Sequence, residues 1–272
     1  MNSLRIAKRQ SIIRSEFTGI LVSTIAIGSI LCMVTVISSL FIESDISAIA
    51  ELVQMPQVWE AISITVISIL ISYLLVVTLG IPTAFYIVKK SGRSGALLDM
   101  VLNIPMVLPP SITGLALLMT FGRYGLVGSF LSNLSISLPF TLAAVIIVQV
   151  FVAMPYFVQM LKSAFQSVDK TIEDAAVDCG ATLKDLIFRI YLPMNVKPFI
   201  SASIMACLRA AGEFGATIMF AGNMEGKTQT ISTAIYSFTQ QNTKLAVSLA
   251  VLHIMIFLLP LLLFKTTLKK LE

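Results

Sequence analysis

Six long apolar stretches, separated by short charged ones, constrain this chain more than any other feature. They cover residues 17–42, 58–88, 97–121, 139–161, 198–222 and 245–264. A helix that crosses a bilayer needs about 20 mainly apolar residues, and each stretch reaches that length. Only 12% of the 272 residues are charged, whereas a soluble domain carries about 25%. That is too little charge to cover a water-facing surface, and the mean hydropathy of +0.92 agrees. The expected fold is therefore an all-α polytopic membrane protein with six transmembrane helices. Residues 1–272 are expected to form a single transmembrane domain in the cell membrane, with no interdomain linker or repeat and no segment left for a soluble core.

The net charge of +5 does not point to nucleic acid. Its basic residues sit at the ends of apolar stretches, not in runs interleaved with aromatics, and loop charge of this kind sets membrane orientation. The N-terminal tail has Arg5, Lys8, Arg9 and Arg14. The second loop has Lys89, Lys90 and Arg93. The fourth has Lys162, Lys170, Lys184, Arg189 and Lys197, and the C-terminal tail has Lys265, Lys269 and Lys270. The first loop has Glu43, Asp45 and Glu51 with no Lys or Arg. The third has Arg123, and the fifth has Glu225 and Lys227, with Lys244 at its end. This alternation places both termini in the cytoplasm, a parity that six spans satisfy. A cleaved signal peptide has an apolar core of about 7–15 residues. The first stretch is longer, so it is expected to be a retained span. Cys32, Cys179 and Cys207 show neither metal-ligand nor disulfide spacing.

The loop from about 162 to 197 is the longest and most charged. Ser167 or Asp169 can cap a helix start, and Glu173 and Asp174 are expected in its first turn, where the dipole favours anions. Gly180 suits the left-handed residue that ends such a helix. Thr182 and Asp185 resemble a capping box. A second helix is expected up to Pro193, with Leu183, Leu186, Ile187 and Ile190 forming one apolar stripe. Two short helices with a glycine bend, lying at the membrane surface, fit this pattern. They could simply pack on lipid, or they could be a lever for a soluble partner.

Asp174-Ala175-Ala176, Gly180 six positions after Asp174, and then Ile190, Leu192 and Pro193 resemble the EAA motif. That motif marks the membrane subunits of binding-protein-dependent ABC importers, here of the type I kind. Asp174 departs from the usual Glu but keeps the charge. The resemblance implies a coupling helix that docks on an ATPase subunit. It would comprise Glu173, Asp174, Ala175, Ala176 and Gly180, continuing through Ala181, Thr182 and Leu183.

Two spans carry residues that are costly inside a bilayer. The fifth contains Arg209 and Glu213, and a charge at the bilayer centre costs about 2.5–3.5 kcal/mol on insertion scales. Four residues apart, they share one helix face and can pair. Such a pair locks helices together, or lines a path, or does both. Gly212 and Gly215 permit close helix approach. The third span contains Pro105, Pro109 and Pro110, then Ser111, Thr113 and Gly114. Adjacent prolines remove backbone donors and break the helix. Irregular backbone at membrane depth needs protein or a water-filled cavity around it, so the break either lies near a conduit or only shapes packing. His253 stands in the sixth span without a metal-like neighbourhood in sequence. Pro109, Pro110, Ser111, Thr113, Arg209, Glu213 and Thr217 are the candidates for a path or gate.

A second resemblance covers spans three to six. Val107-Leu108-Pro109-Pro110, Phe121-Gly122-Arg123 and Gly125 are similar to the molybdate permease subunits. So are Gly212-Glu213-Phe214-Gly215-Ala216-Thr217, Phe220-Ala221-Gly222-Asn223, Gly226-Lys227-Thr228-Gln229-Thr230 and Ala234-Ile235-Tyr236. Sulfate permeases share the Gly-Glu stretch but differ at Phe214 and Ala216. The resemblance implies molybdate as substrate, with tungstate a near-identical second. It also implies a homodimer, a cytosolic ABC ATPase that uses ATP and Mg, and an extracytoplasmic oxyanion-binding protein. This chain would bind no cofactor and would not itself be an enzyme. Its one glycine–lysine stretch, 222–228, has three residues between the glycines, where a P-loop needs four. An ion-driven secondary transporter would need unpaired intramembrane acids. A membrane-embedded enzyme would need paired His, acids or a nucleophile–base set within the spans, and one lone His is poor material for that.

Overall fold

A computed structural model describes residues 2–90 and 92–269, with side chains described over 19–90 and 92–256. Among the described residues all regular structure is helical. Helix α1 (Asn2–Glu43) is followed by the short α2 (Ile46–Gln54) and the long α3 (Pro56–Lys89). Asp45 starts α2 by accepting from the Ser47 N–H at 2.9 Å, and Pro56 starts α3 at a position where its missing N–H costs nothing. Thirty-four residues at about 1.5 Å per residue make α3 roughly 51 Å long. Its buried Thr65, Ser68 and Ser72 hydroxyls donate to carbonyls three or four residues back, so none adds an unpaired donor to the core.

Beyond α3 come α4 (Arg93–Val107), α5 (Pro110–Phe121), α6 (Gly128–Asn133) and α7 (Leu142–Gln166). Next are α8 (Lys170–Asp178), α9 (Leu183–Asp185), a π-helical turn (Leu186–Tyr191) and α10 (Leu192–Met194). The chain continues as α11 (Val196–Ala211), α12 (Gly215–Phe220), α13 (Ile231–Gln241) and α14 (Thr243–Lys269).

The core is built on α3, α7 and α11. Val76, Phe85, Phe157, Leu161, Phe165, Ala202 and Ala206 are all buried there. Gly80 lets α3 approach α7, since a Cβ would lie 2.6 Å from the Phe157 ring. A second cluster joins α2, α13 and α14 to the start of α3 through Leu52, Val58, Ile231 and Leu249. A third joins α5 and α12 to α7 through Leu117, Val148 and Phe220. Asp99 of α4 accepts from Lys162 of α7 at 2.6 Å and from Gln159 at 2.7 Å. The described apolar side chains of α1 are largely exposed, as for a helix that faces lipid.

All six apolar stretches are helical, but not all are single rods. Gly19–Glu43, Pro56–Lys89 and Leu142–Gln166 are each long and apolar enough to cross a membrane. The expected third span is a pair, α4 and α5, bent by 113° at Leu108 and Pro109. Counting that pair gives four. The expected fifth span also divides, into α11 and α12. The sixth lies in α14, with Thr243–Ile256 its apolar part among the described side chains. Arg5, Lys8, Arg9, Arg14, Lys265, Lys269 and Lys270, which carry the orientation argument at the termini, fall outside the residues with described side chains.

Candidate functional site

The polar loop folds as two short helices around a glycine bend. Asp169 caps α8 by accepting from the Thr171 N–H at 2.9 Å. That bond, ahead of one from the Thr171 side chain, holds its carboxyl below the usual carboxylate range. Glu173 lies in the first turn of α8, whereas Asp174 falls one residue beyond it. The expectation that both sit in that turn is corrected, because the helix begins at Lys170. Gly180 has φ +85°. The Gly180 N–H donates to Val177 O at 2.8 Å, and the Ala181 N–H to Ala176 O at 2.9 Å. These two bonds close the helix in a Schellman motif. Thr182 and Asp185 form the capping box reciprocally, with the Thr182 N–H donating to Asp185 Oδ2 at 3.0 Å. The box, first through the Thr182 hydroxyl and then its N–H, keeps the Asp185 carboxyl low.

The second helix departs from expectation. After α9 the backbone widens into the π-helical turn, and its stripe packs into protein, not onto lipid. Leu186 and Ile187 are buried and Ile190 packs against them, but Leu183 is 64% exposed. The reason is Tyr191. Its ring meets Phe85 of α3 and Phe165 of α7 edge-on, with centroids 5.1 and 5.2 Å away. Lys89 Nζ, at the end of α3, donates to Tyr191 Oη at 2.8 Å and also pairs with Glu173. Tyr191 Oη donates to Glu173 Oε2 at 2.8 Å. Partial burial opposes the Glu173 carboxylate, yet the bonds from Lys89 and Tyr191 outweigh it and hold its carboxyl below the usual range. Burial first, and then the bond to Glu173, keep the Tyr191 phenol above its ordinary value against the opposing pull of Lys89, so it stays a neutral donor. Glu173, Ala176 and Ala181 therefore face the fold. Asp174, Ala175, Val177, Gly180, Thr182, Leu183 and Phe188 face outward.

A second constellation lies where α5 meets α12. Leu108 and Pro109 are extended and turn the chain into α5. α11 stops at Ala211, and Gly212 to Phe214 break it from α12. The two breaks pack together. A Cβ on Gly215 would lie 2.6 Å from Pro110 Cβ, and one on Gly114 would lie 2.6 Å from Met219 Cβ and 2.9 Å from Ala216 O. Arg209 Nη1 pairs with Glu213 Oε2 at 2.7 Å. Glu213 Oε1 accepts from the Ala216 N–H at 2.9 Å, so one carboxylate binds the cation and starts α12. Ser232 Oγ donates to the freed Ala211 carbonyl at 2.8 Å. Arg209 also lies 6.0 Å from the Tyr156 ring. Thr113 and Thr217 are buried, and Thr217 Oγ1 has no hydrogen-bond partner among the described residues. Pro109, Pro110 and Ser111 are exposed.

Residues 76–270 match the family described as the binding-protein-dependent transport system inner membrane component. The chain belongs to that family. It is a multi-pass membrane protein and a transport subunit. It is 41% identical over 205 residues to the probable transport system permease protein NifC of Clostridium pasteurianum, covering 75% of this chain and 72% of that one. It is 35% identical over 225 residues to the molybdenum transport system permease protein ModB of Mycobacterium bovis, covering 79% and 85%. Its fold is shared with a bacterial alginate ABC transporter, crystallised with an alginate pentasaccharide-bound periplasmic protein. There the TM-score is 0.71 at 15% identity, over 92% of this chain and 94% of that one.

Within this permease fold the residues singled out from sequence gather at two places. Glu173 to Leu183 form the loop. Pro109, Pro110, Ser111, Thr113, Arg209, Glu213 and Thr217 gather around the paired breaks. Arg209 and Glu213 pair as expected, but across a helix end and not along one helix face. Gly215 makes a close approach as expected, whereas Gly212 does not. The nearest atom to a Cβ there is its own helix's Leu208 O at 3.5 Å, and Gly212 instead ends α11. Sequence reasoning missed Lys89 and Tyr191. Lys89 and the loop share the basic class of segments, which was the available signal.

Proposed function

We propose that this chain is the membrane-spanning subunit of an ATP-driven importer of a tetrahedral oxyanion, molybdate first and tungstate next. The observation that carries this reading is the 35% identity to a molybdenum transport system permease over most of both chains. The motif residues at 107–125 and 212–236 support it. In this reading six spans cross the membrane and both termini are cytoplasmic. Two copies of the chain surround one path. A cytosolic ABC ATPase docks on each loop, and an extracytoplasmic binding protein delivers the anion. ATP and Mg act on the partner ATPase.

The outward face of the loop supports the docking role. Asp174 is exposed on this loop, as are the apolar Val177, Leu183 and Phe188, which is material for a protein cleft. Glu173 anchors that face from behind. The paired breaks support the path role. Charge and unpaired hydroxyls inside a membrane protein normally face its interior or a water-filled route. Arg209 and Glu213 neutralise each other, so the route would pass an anion without trapping it. In the cycle, ATP closes the ATPase dimer and moves the loops, and the path opens outward to receive the anion. Hydrolysis then restores the inward-facing state.

The test is uptake of radiolabelled molybdate into vesicles that hold the chain, its ATPase and its binding protein, with and without ATP. The expected result is ATP-dependent uptake blocked by excess tungstate but not by sulfate. Blocking by sulfate would keep the importer and change its substrate. Uptake that ignored ATP and followed an ion gradient would overturn the coupling role.

A further inference from the structure

No α8 side chain is buried. Among the described residues, the hydrogen bonds that join α8 side chains to another helix or turn are all accepted by Glu173, from Lys89 and Tyr191. This one carboxylate therefore holds α8 against the bundle by polar contacts. Its partners are not local, since Lys89 lies 84 residues away and Tyr191 lies 18 away. Both are set in rigid surroundings. Lys89 closes α3, and its Nζ lies 5.2 Å from the Phe85 ring centroid and 4.9 Å from that of Tyr191. The Tyr191 ring is wedged edge-on between Phe85 of α3 and Phe165 of α7. Its main-chain carbonyl accepts from Asn195 Nδ2 at 2.8 Å, which ties the start of α11 to the same point. Tyr191 also ends the π-helical turn, a backbone form that is rare and frequent at functional sites.

We infer that Lys89 and Tyr191 are positioning residues for transport, forming with Glu173 the linkage that carries movement of α8 into α3 and α7. A force on the outward face of α8 reaches the bundle through a short chain of charge-assisted bonds onto packed rings. The alternative route, through Ala176 and Ala181, offers small side chains that can slide. Charge-assisted bonds are about twice as strong as neutral ones and fix direction. The linkage thus makes α8, α3 and α7 move as one body.

This inference rests on the importer reading, and the same assay separates the two. Wild-type complex of chain, ATPase and binding protein is reconstituted, and molybdate uptake and ATP hydrolysis are measured in the same vesicles. Without ATP-driven uptake by the wild type, the importer reading fails before the linkage is tested. Given that uptake, Lys89→Met and Tyr191→Phe each keep the packing stem or ring and leave the docking face untouched. Both should retain the ATPase on purification and hydrolyse ATP near the wild-type rate. Uptake per ATP should fall at least about fivefold, the lower edge of ordinary coupling effects. Lys89→Arg, which keeps a cationic donor, should restore it. The double variant should be no worse than the poorer single one, because both cut one linkage. The inference is overturned if uptake per ATP is unchanged in Lys89→Met and Tyr191→Phe. It is equally overturned if hydrolysis and uptake fall together in both, or if Lys89→Arg behaves like Lys89→Met.

Discussion

The two polar centres of this permease hold their charges in opposite ways. Arg209 and Glu213 are four residues apart, and Glu213 is 3% exposed. Lys89 comes from the end of α3, and Glu173 and Tyr191 come from α8 and the π-helical turn; Tyr191 is buried, while the Lys89 and Glu173 side chains are 32% and 17% exposed. The first is a local device that ends one helix and starts the next. The second is a tertiary device that fastens one element to others. A local pair can make a break rigid, but it cannot relay motion between elements. A long-range cluster can relay motion, because it makes the elements it joins move together.

This contrast predicts the largest loss at the buried pair. Glu213→Ala strips Arg209 of its partner and α12 of its first bond. Breaking a buried pair from one side costs about 3–5 kcal/mol. Arg209 keeps some exposure, so a loss near about 3 kcal/mol is expected, measured by thermal unfolding of the purified protein in detergent. Glu213→Gln keeps an acceptor for the Ala216 N–H and should lose less. A Glu213→Ala protein that melts like wild type would show that the carboxylate does not hold the break.

The glycines sharpen the same point. Gly114→Ala drives a Cβ to within 3.0 Å of Ala216 backbone atoms. Backbone must shift, and overpacking of this kind costs about 1–3 kcal/mol. Gly212→Ala meets no atom closer than 3.5 Å and should melt within about 0.5 kcal/mol of wild type, as substitutions away from special features do. Equal melting of the two variants would mean that α5 and α12 do not approach as described.

The legibility of each centre in the sequence follows from its range. Arg209 and Glu213 could be paired from spacing alone, and the double proline marked the bend between α4 and α5. The Gly180 bend and the Thr182–Asp185 box are likewise local chemistry, and they were readable. The break at 212–214 was not read, because glycine inside an apolar run serves close packing and helix ending equally well. Only the neighbour decides, and here Pro110 sits against Gly215, whereas a Cβ on Gly212 would meet only Leu208 O of its own helix. The π-helical turn had no local signal. Its cause is the fit of Tyr191 between Phe85 and Phe165, which depends on two helices remote in sequence. The inward turn of Glu173 had the same kind of cause in Lys89. The apolar stripe at 183–190 marked a buried face at Leu186 and Ile187 but not at exposed Leu183, and periodicity does not say whether protein or lipid covers it.

A smaller effect is expected at the capping box. Thr182→Ala removes the acceptor for the Asp185 N–H, and losing such a cap costs about 1 kcal/mol. The change should show as faster amide hydrogen exchange over 183–187, with exchange at 209–217 unchanged. Faster exchange at both sites would mean that the loop and the breaks unfold as one unit.

The smallest effect is the pH dependence of the loop's attachment, and its sign follows from Glu173. The carboxyl is held below its ordinary value of 4.5 in the folded protein. A depressed carboxyl contributes stability above its unfolded pKa, and that contribution is lost as pH falls through the folded value. Between neutral pH and about 4.5 the attachment of α8 should therefore stay constant. Below that it should loosen as Glu173 takes up a proton and its bonds from Lys89 and Tyr191 weaken. Limited proteolysis across 170–180 by an acid-active protease, followed from pH 5.5 downward, would report the change. Glu173→Gln should be cut faster at pH 5.5 and show little further rise, because its side chain no longer titrates. Asp169 and Asp185 are also held low, but their bonds are within the loop itself. Asp169→Asn and Asp185→Asn should therefore leave the acid-induced rise in place. If either of them removed it, the acid sensitivity would belong to helix capping and not to the contact between α8 and α3.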